Sequence, residues 1–303
     1  MTSHSHIDRP LYITVFLNGF ISLLELFFGL ISNSLALISD AAHNLTDFLA
    51  VFLALISRIA GRKPPTLKHT YGFRRLEIFA AFFNGLLLFA IMAILLKESI
   101  FRLFNPVKPP SQTIVIVVGI AAFFVNFISV IVLNPHKKED VNIKIAFIHL
   151  LQDAFVSVVV IISAFLYNFS FGKYVDPIAT ILISILVLKS AILILYETVL
   201  TLLEGVPPNI DIMEIINFVG QNYPQISIHH IHIWQNGPNE ILLTAHIHFK
   251  ENCRTDEIEM VFADLKEKFE KQWKINHITF EPEFNGCGES ETISKGISKG
   301  TKF

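Results

Sequence analysis

His43 and Asp47 stand four residues apart in one strongly apolar segment, and His149 and Asp153 repeat that spacing in another. A separation of four puts both side chains of each pair on one helix face, so two facing helices offer two imidazoles and two carboxylates to a single ion. Such a set of N and O donors at tetrahedral geometry suits Zn²⁺, which binds imidazole nitrogen and carboxylate oxygen at about 2.0–2.2 Å. Softer ions favour thiolate or thioether, and neither Cys nor Met lies on these stripes. Asp40 extends the first stripe and Ser157 the second. Asp40 reads as a group that supports the ligands or lines the access path.

The segments that carry these pairs are long enough to cross a membrane. Hydrophobic residues make up 52% of the 303, and mean hydropathy is +0.54. Six stretches reach the roughly 20 residues a bilayer requires: Leu11 to Ile31, Leu35 to Ala60, Leu76 to Phe101, Thr113 to Leu133, Ile143 to Tyr167 and Pro177 to Leu203. Ionisable groups inside such spans are costly, which marks them as functional. The first stretch has only Arg9 as a positive flank, contains Glu25 and lacks a small-residue cleavage site, so it reads as a retained helix. Arg62, Lys63, Lys68, Arg74 and Arg75 crowd the loop after the second span, and Lys137 and Lys138 the loop after the fourth. The positive-inside rule then puts those loops and both termini of a multi-pass membrane protein in the cytoplasm, and the inner membrane is the expected location. A formal net charge of −2 gives no reason to expect nucleic acid.

Other polar residues of the spans call for hydrogen bonding between helices or for a wet cavity: Asn18, Ser22 and Glu25 in the first, Glu77 and Asn84 in the third, Asn126 in the fourth. Lys189, mid-way along the sixth span, either snorkels, pairs with an acid or marks a misplaced boundary.

From Val206 the composition becomes that of a small soluble domain. Pro207 and Pro208 end the last span, and Asn209 or Asp211 caps a helix running to about Asn222. Strands are expected at Ser227 to Trp234, Glu240 to Phe249 and Ile275 to Glu281, with an amphipathic helix at Thr255 to Trp273. The order α-β-β-α-β is a ferredoxin-like layout that dimerisation would help to stabilise. The expected division is a cytoplasmic tail at 1–10, six transmembrane helices at 11–205, a cytoplasmic α+β domain at 206–285 and a disordered tail at 286–303. Cys253 and Cys287 read as free thiols. His230 with His232, and His246 with His248, share strand faces and form a histidine-rich hairpin, whereas His229 points to the opposite face.

The runs Ser34-Leu-Ala-Leu-Ile-Ser-Asp-Ala-Ala-His-Asn-Leu-Thr-Asp47, Tyr71-Gly-Phe-Arg-Arg-Leu-Glu77, His149-Leu-Leu-Gln-Asp153 and Leu203-Glu-Gly-Val-Pro207 resemble the cation diffusion facilitators, a family of zinc and related divalent-metal exporters. The likeness spans about residues 10 to 283 and implies six helices plus a metallochaperone-like cytoplasmic domain. It makes His43, Asp47, His149 and Asp153 the transport site, and His230, His246 and Glu283, with His277 nearby, a zinc site of the cytoplasmic domain. The same resemblance implies a homodimer that exchanges cytoplasmic zinc for protons, with an Arg75–Glu204 interlock at the dimer seam. A further loop zinc site of some relatives is not expected, because Thr66 and Phe73 stand where its other ligands would accompany His69.

Three other readings compete with zinc/proton antiport. The same machine carrying Cd²⁺, Co²⁺ or Ni²⁺ uses the same donors. A membrane metalloenzyme needs a motif such as His-Glu-x-x-His, which does not occur. A metal receptor that does not transport would bind zinc and move none.

Overall fold

The computed structural model describes residues 5–61, 64–134, 141–238 and 240–284. The sequence readings for Arg62, Lys63, Lys137, Lys138, Cys287 and the tail from Gly286 lie outside the described residues. Six long helices come first: α1 Ser5–Ser32, α2 Leu35–Gly61, α3 Arg75–Phe104, α4 Gln112–Leu133, α5 Val141–Phe165 and α6 Gly172–Leu202. A short 3₁₀ turn, Leu166–Asn168, follows α5. The soluble part continues as α7 Ile212–Asn222, β1 Ile226–Gly237, β2 Glu240–Phe249, α8 Thr255–Trp273 and β3 Ile275–Glu283. Among the described residues α3 and α6, with Gln112–Val132 and Phe147–Asn168, are long and apolar enough to cross a membrane, and Phe16–Ser32 is a shorter apolar stretch.

By contacts the chain divides into Met1–Ile56 with Ala80–Leu195, and Ser57–Phe79 with Tyr196–Phe303. The first unit is built around Leu35, Leu37, Leu88, Met92, Val115, Val160, Ile183 and Val187, drawn from α2 to α6. Its outer surface is apolar too. Phe27, Ile94, Phe124, Phe155 and Leu186 are all exposed, a surface made for lipid rather than water. α6 starts at Gly172, before Pro177, where the sequence set the start of the span, so Pro177 lies inside the helix and forfeits the bond its N–H would have made to the Lys173 carbonyl. Lys189 is therefore still mid-helix, exposed, and without an ion pair among the described residues.

In the second unit the sheet order is β1-β2-β3, with β1 antiparallel and β3 parallel to β2. α7 and α8 close one face over a core of Ile215, Val219, Ile231, Leu243, Leu265, Phe269 and Trp273. Asp211 caps α7 by accepting from the Met213 amide at 2.8 Å, and Glu257 accepts from the Arg254 amide at the start of α8. Tyr223 donates to Asp264, and with Lys268 alongside holds that carboxyl below its usual range. Arg75 and Glu204 meet at 2.8 Å, and Arg75 Nε also donates to Asn236 at 3.2 Å. Both partners are exposed enough that the pair by itself adds little stability.

One irregularity matters for the histidines. The pairing of β1 with β2 slips between His229 and His232, and His230 has a φ of 51°. The bulge has a packing cause, since Ile226, Ile228, Ile231 and Ile233 are all buried and a strict two-residue alternation cannot bury all four.

Candidate metal centre

The helical repeat brings the two pairs together as expected from spacing. His43 Nδ1 lies 3.3 Å from Asp47 Oδ2, and His149 Nε2 lies 3.2 Å from the same oxygen. Asp153 reaches His43 Nε2 with one oxygen and His149 Nε2 with the other, each at 3.7 Å. The two rings meet edge to face with centroids 5.6 Å apart. Each carboxylate thus touches both imidazoles. Donor atoms around a tetrahedral zinc lie about 3.3–3.6 Å from one another, close to these separations. Donor atoms of His43, Asp47 and His149 all fall within 4.8 Å of one another, a set that does not include Asp153. His43 turns a different nitrogen to each carboxylate, so an ion draws on one of the two.

The buried donor atoms of this centre face one another rather than the helices around them. Both Asp153 oxygens are buried and make no hydrogen bond among the described residues, and Asp47 Oδ2, also buried, is met by the two imidazoles. The centre is also asymmetric. Side-chain exposure is 38% for His149 and 32% for Asp47 but 1% for Asp153, so the site opens toward the end of α2 and the start of α5. It is closed toward the other ends of those helices.

At the closed end a residue that sequence reasoning missed joins the ligand-bearing helices. Asp176 of α6, 2% exposed, accepts from Ser34 Oγ at 2.6 Å, the Leu35 amide at 2.8 Å and Tyr167 Oη at 2.8 Å. Ser34 Oγ in turn accepts from the Leu37 amide at 3.2 Å. One carboxylate therefore caps the start of α2 and holds the turn that ends α5. Gly172 is needed beside it, because a Cβ there would sit 2.0 Å from the Tyr167 carbonyl oxygen. The sequence signal was an acid placed directly before Pro177. Replacing Asp176 by alanine orphans three buried donors and is expected to cost about 3 kcal/mol or more, read as a lower unfolding temperature in detergent. Asp176→Asn, which keeps an acceptor oxygen, should lose less.

In the β1–β2 hairpin the grouping differs from the expected set of His230, His246 and Glu283. Donor atoms of His229, His246 and Glu283 lie within 4.8 Å of one another. His246 Nδ1 is 2.6 Å from Glu283 Oε1, and His229 Nε2 is 3.1 Å from Oε2. His230 is stacked on His246 with centroids 4.6 Å apart, and His277 lies edge to face against Tyr71. The bulge at His229–His232 brings His229 opposite His246, where alternation had turned it away. If this trio is a zinc site, His229→Ala or Glu283→Ala should remove one bound zinc per chain in calorimetry of the full-length protein. His230→Ala should weaken that zinc less. The His69 ring packs against Phe73 at 4.6 Å.

Comparison with known proteins gives two family matches: the cation efflux transmembrane domain over residues 11–203 and the cytoplasmic domain of cation efflux proteins over residues 207–283. The chain is 32% identical over 313 residues to the zinc transporter ZitB of Escherichia coli, covering 98% of this chain and 97% of that one. It is 33% identical over 292 residues to the metal cation efflux system protein CzcD of Cupriavidus metallidurans, covering 95% and 92%. With a Bacillus subtilis protein named as a cadmium, cobalt and zinc/H(+)-K(+) antiporter it shares 31% over 273 residues, covering 89% and 87%.

Proposed function

This chain belongs to the cation efflux family, and from that premise we propose that it is a homodimeric antiporter that takes Zn²⁺ from the cytoplasm and returns protons. Its activity is transport, not catalysis. The observation that carries the reading is the four-residue donor set, its buried donor atoms turned toward one another, strung between two helices of an apolar bundle. His43, Asp47, His149 and Asp153 hold the transported ion. Imidazole and carboxylate bind zinc only when free of protons, so loading the ion expels protons and reprotonation weakens its hold.

Residues 11–205 form the membrane domain and 206–285 the cytoplasmic domain, with both termini in the cytoplasm and the whole in the inner membrane. In that orientation the exposed side of the centre, toward the end of α2 and the start of α5, faces the cytoplasm. The chain then stands ready to load, and release requires a rocking of helices that closes this side and opens the other. The trio His229, His246 and Glu283 holds a regulatory zinc, and Arg75–Glu204 ties the start of α3 to the turn after α6 near the dimer seam.

Uptake by proteoliposomes under an imposed pH gradient tests the function, comparing Zn²⁺, Cd²⁺, Co²⁺, Ni²⁺ and Mn²⁺. Zinc should move fastest and proton movement should accompany it. A protein that binds zinc and moves none is a receptor, and faster cadmium, cobalt or nickel would change the named cargo.

A further inference from the structure

Behind the metal centre, away from its opening, lies a polar cluster that zinc binding leaves unused. Glu25 of α1 and Asp40 of α2 are 0% and 1% exposed. Both carboxyls meet one amide: Asn44 Nδ2 lies 3.4 Å from Glu25 Oε2 and 3.4 Å from Asp40 Oδ1. Ser157 of α5 places its hydroxyl 3.3 Å from Asp40 Oδ2 and 3.1 Å from the Asp153 carbonyl oxygen, so its single hydrogen serves one acceptor at a time. Glu25 Oε1 is buried with no hydrogen-bond partner among the described residues.

Charge decides what this cluster holds. The titratable groups facing Glu25 are Asp40 on α2 and, farther off, Asp153 on α5, and both are acids. α4, which packs against α1, has no titratable residue. No Lys or Arg pairs with either carboxyl among the described residues. Two buried carboxylates beside one another with no cation cannot both stay ionised, so the pair holds a proton. Glu25 is the group to carry it, because both carboxyls share the Asn44 amide but Asp40 also faces the Ser157 hydroxyl, while Glu25 Oε1 receives no hydrogen bond.

We propose that Glu25, paired with Asp40, is a proton-binding site distinct from the zinc ligands and lying between the metal centre and the outer ends of α1, α2 and α5. This rests on the antiport reading and deepens it: one proton of each cycle rides on a carboxyl that zinc never touches. The location suits the direction of travel. Glu25 stands toward the end of α1, Asp40 toward the start of α2 and Ser157 toward the end of α5, all on the closed side from which external protons would arrive.

Glu25→Gln mimics the protonated acid in size and charge and tests the idea in full-length protein in proteoliposomes, with zinc and proton fluxes read together. Calorimetric zinc affinity at neutral pH should stay within about twofold of wild type. The number of protons exchanged per zinc should fall by about one, and the dependence of flux on external pH should flatten. Glu25→Asp, which keeps a titratable group, should restore part of both. An unchanged proton count and pH profile in Glu25→Gln overturn the proposal, as does loss of both that tracks with loss of zinc affinity. If potassium in place of protons drives a flux that depends on Glu25, the cluster is an alkali-cation site and the proposal is wrong. Failure of the antiport reading itself looks different, since the wild-type protein would then move zinc without protons or move none.

Discussion

Asp153→Ala is expected to reduce zinc flux at least about 100-fold while the chain still inserts and keeps its oligomeric state. Loss of a group that merely orients a metal ligand already costs 10–100-fold, so loss of a direct ligand should cost more. Asp153 is also the least exposed of the four, at 1%, and touches both imidazoles. Removing it leaves His43 and His149 facing one carboxylate, with no donor on the closed side to draw an ion inward. Folding should survive better than transport, because the Asp153 carboxylate makes no hydrogen bond among the described residues. The check is zinc-dye flux in proteoliposomes beside size-exclusion profiles of the same preparations. Transport at wild-type rate would remove Asp153 from the centre, and a protein that fails to insert would be answered with Asp153→Asn, which keeps the shape and removes the charge.

The helical spacing made this centre legible in the sequence. Residues four apart on a helix must share a face, so His43 with Asp47 and His149 with Asp153 needed only that their two helices face one another. The hairpin was harder, because strand alternation holds only while no residue is inserted. A clue was nonetheless present: the isoleucines at 226, 228, 231 and 233 are spaced two, three and two, which marks a bulge between 228 and 231 and warns that His229 and His230 do not follow the pleat. Asp176 was illegible for another reason. Reading Pro177 as the start of the span left the acid outside it, and its partners Ser34 and Tyr167 are distant in sequence. Glu25 could be recognised as a costly group in an apolar stretch, but its pairing with Asn44 and Asp40 depends on how α1 lies against α2, which no local pattern encodes.

Zinc affinity should fall steeply as the medium is made acidic, and the slope counts the protons that zinc displaces. Linkage sets the sign: the ligands bind protons in the empty state and must shed them to bind zinc, so acid favours the empty state. For each proton displaced, the apparent affinity drops about tenfold per pH unit in the range where the ligand is protonated when empty. With two imidazoles at the centre the drop approaches about 100-fold per unit wherever both carry a proton. His149→Ala removes one of them. Its zinc binding should be weaker at neutral pH, and its logarithmic slope against pH should be shallower by about one. The measurement is calorimetry of full-length protein in detergent at several pH values, repeated in buffers of different ionisation enthalpy to count protons directly. A variant that binds more weakly with the wild-type slope would keep His149 as a ligand but not as a carrier of the exchanged proton. Antiport would then have to draw its protons from His43 and the carboxylates. A wild-type slope near zero would be more serious, because a centre that binds zinc without displacing protons gives a pH gradient nothing to act on. The structure argues for a steep slope: among the described residues the groups gathered at the opening of this site are two imidazoles and a carboxylate, each able to hold either cargo but not both on the same atom.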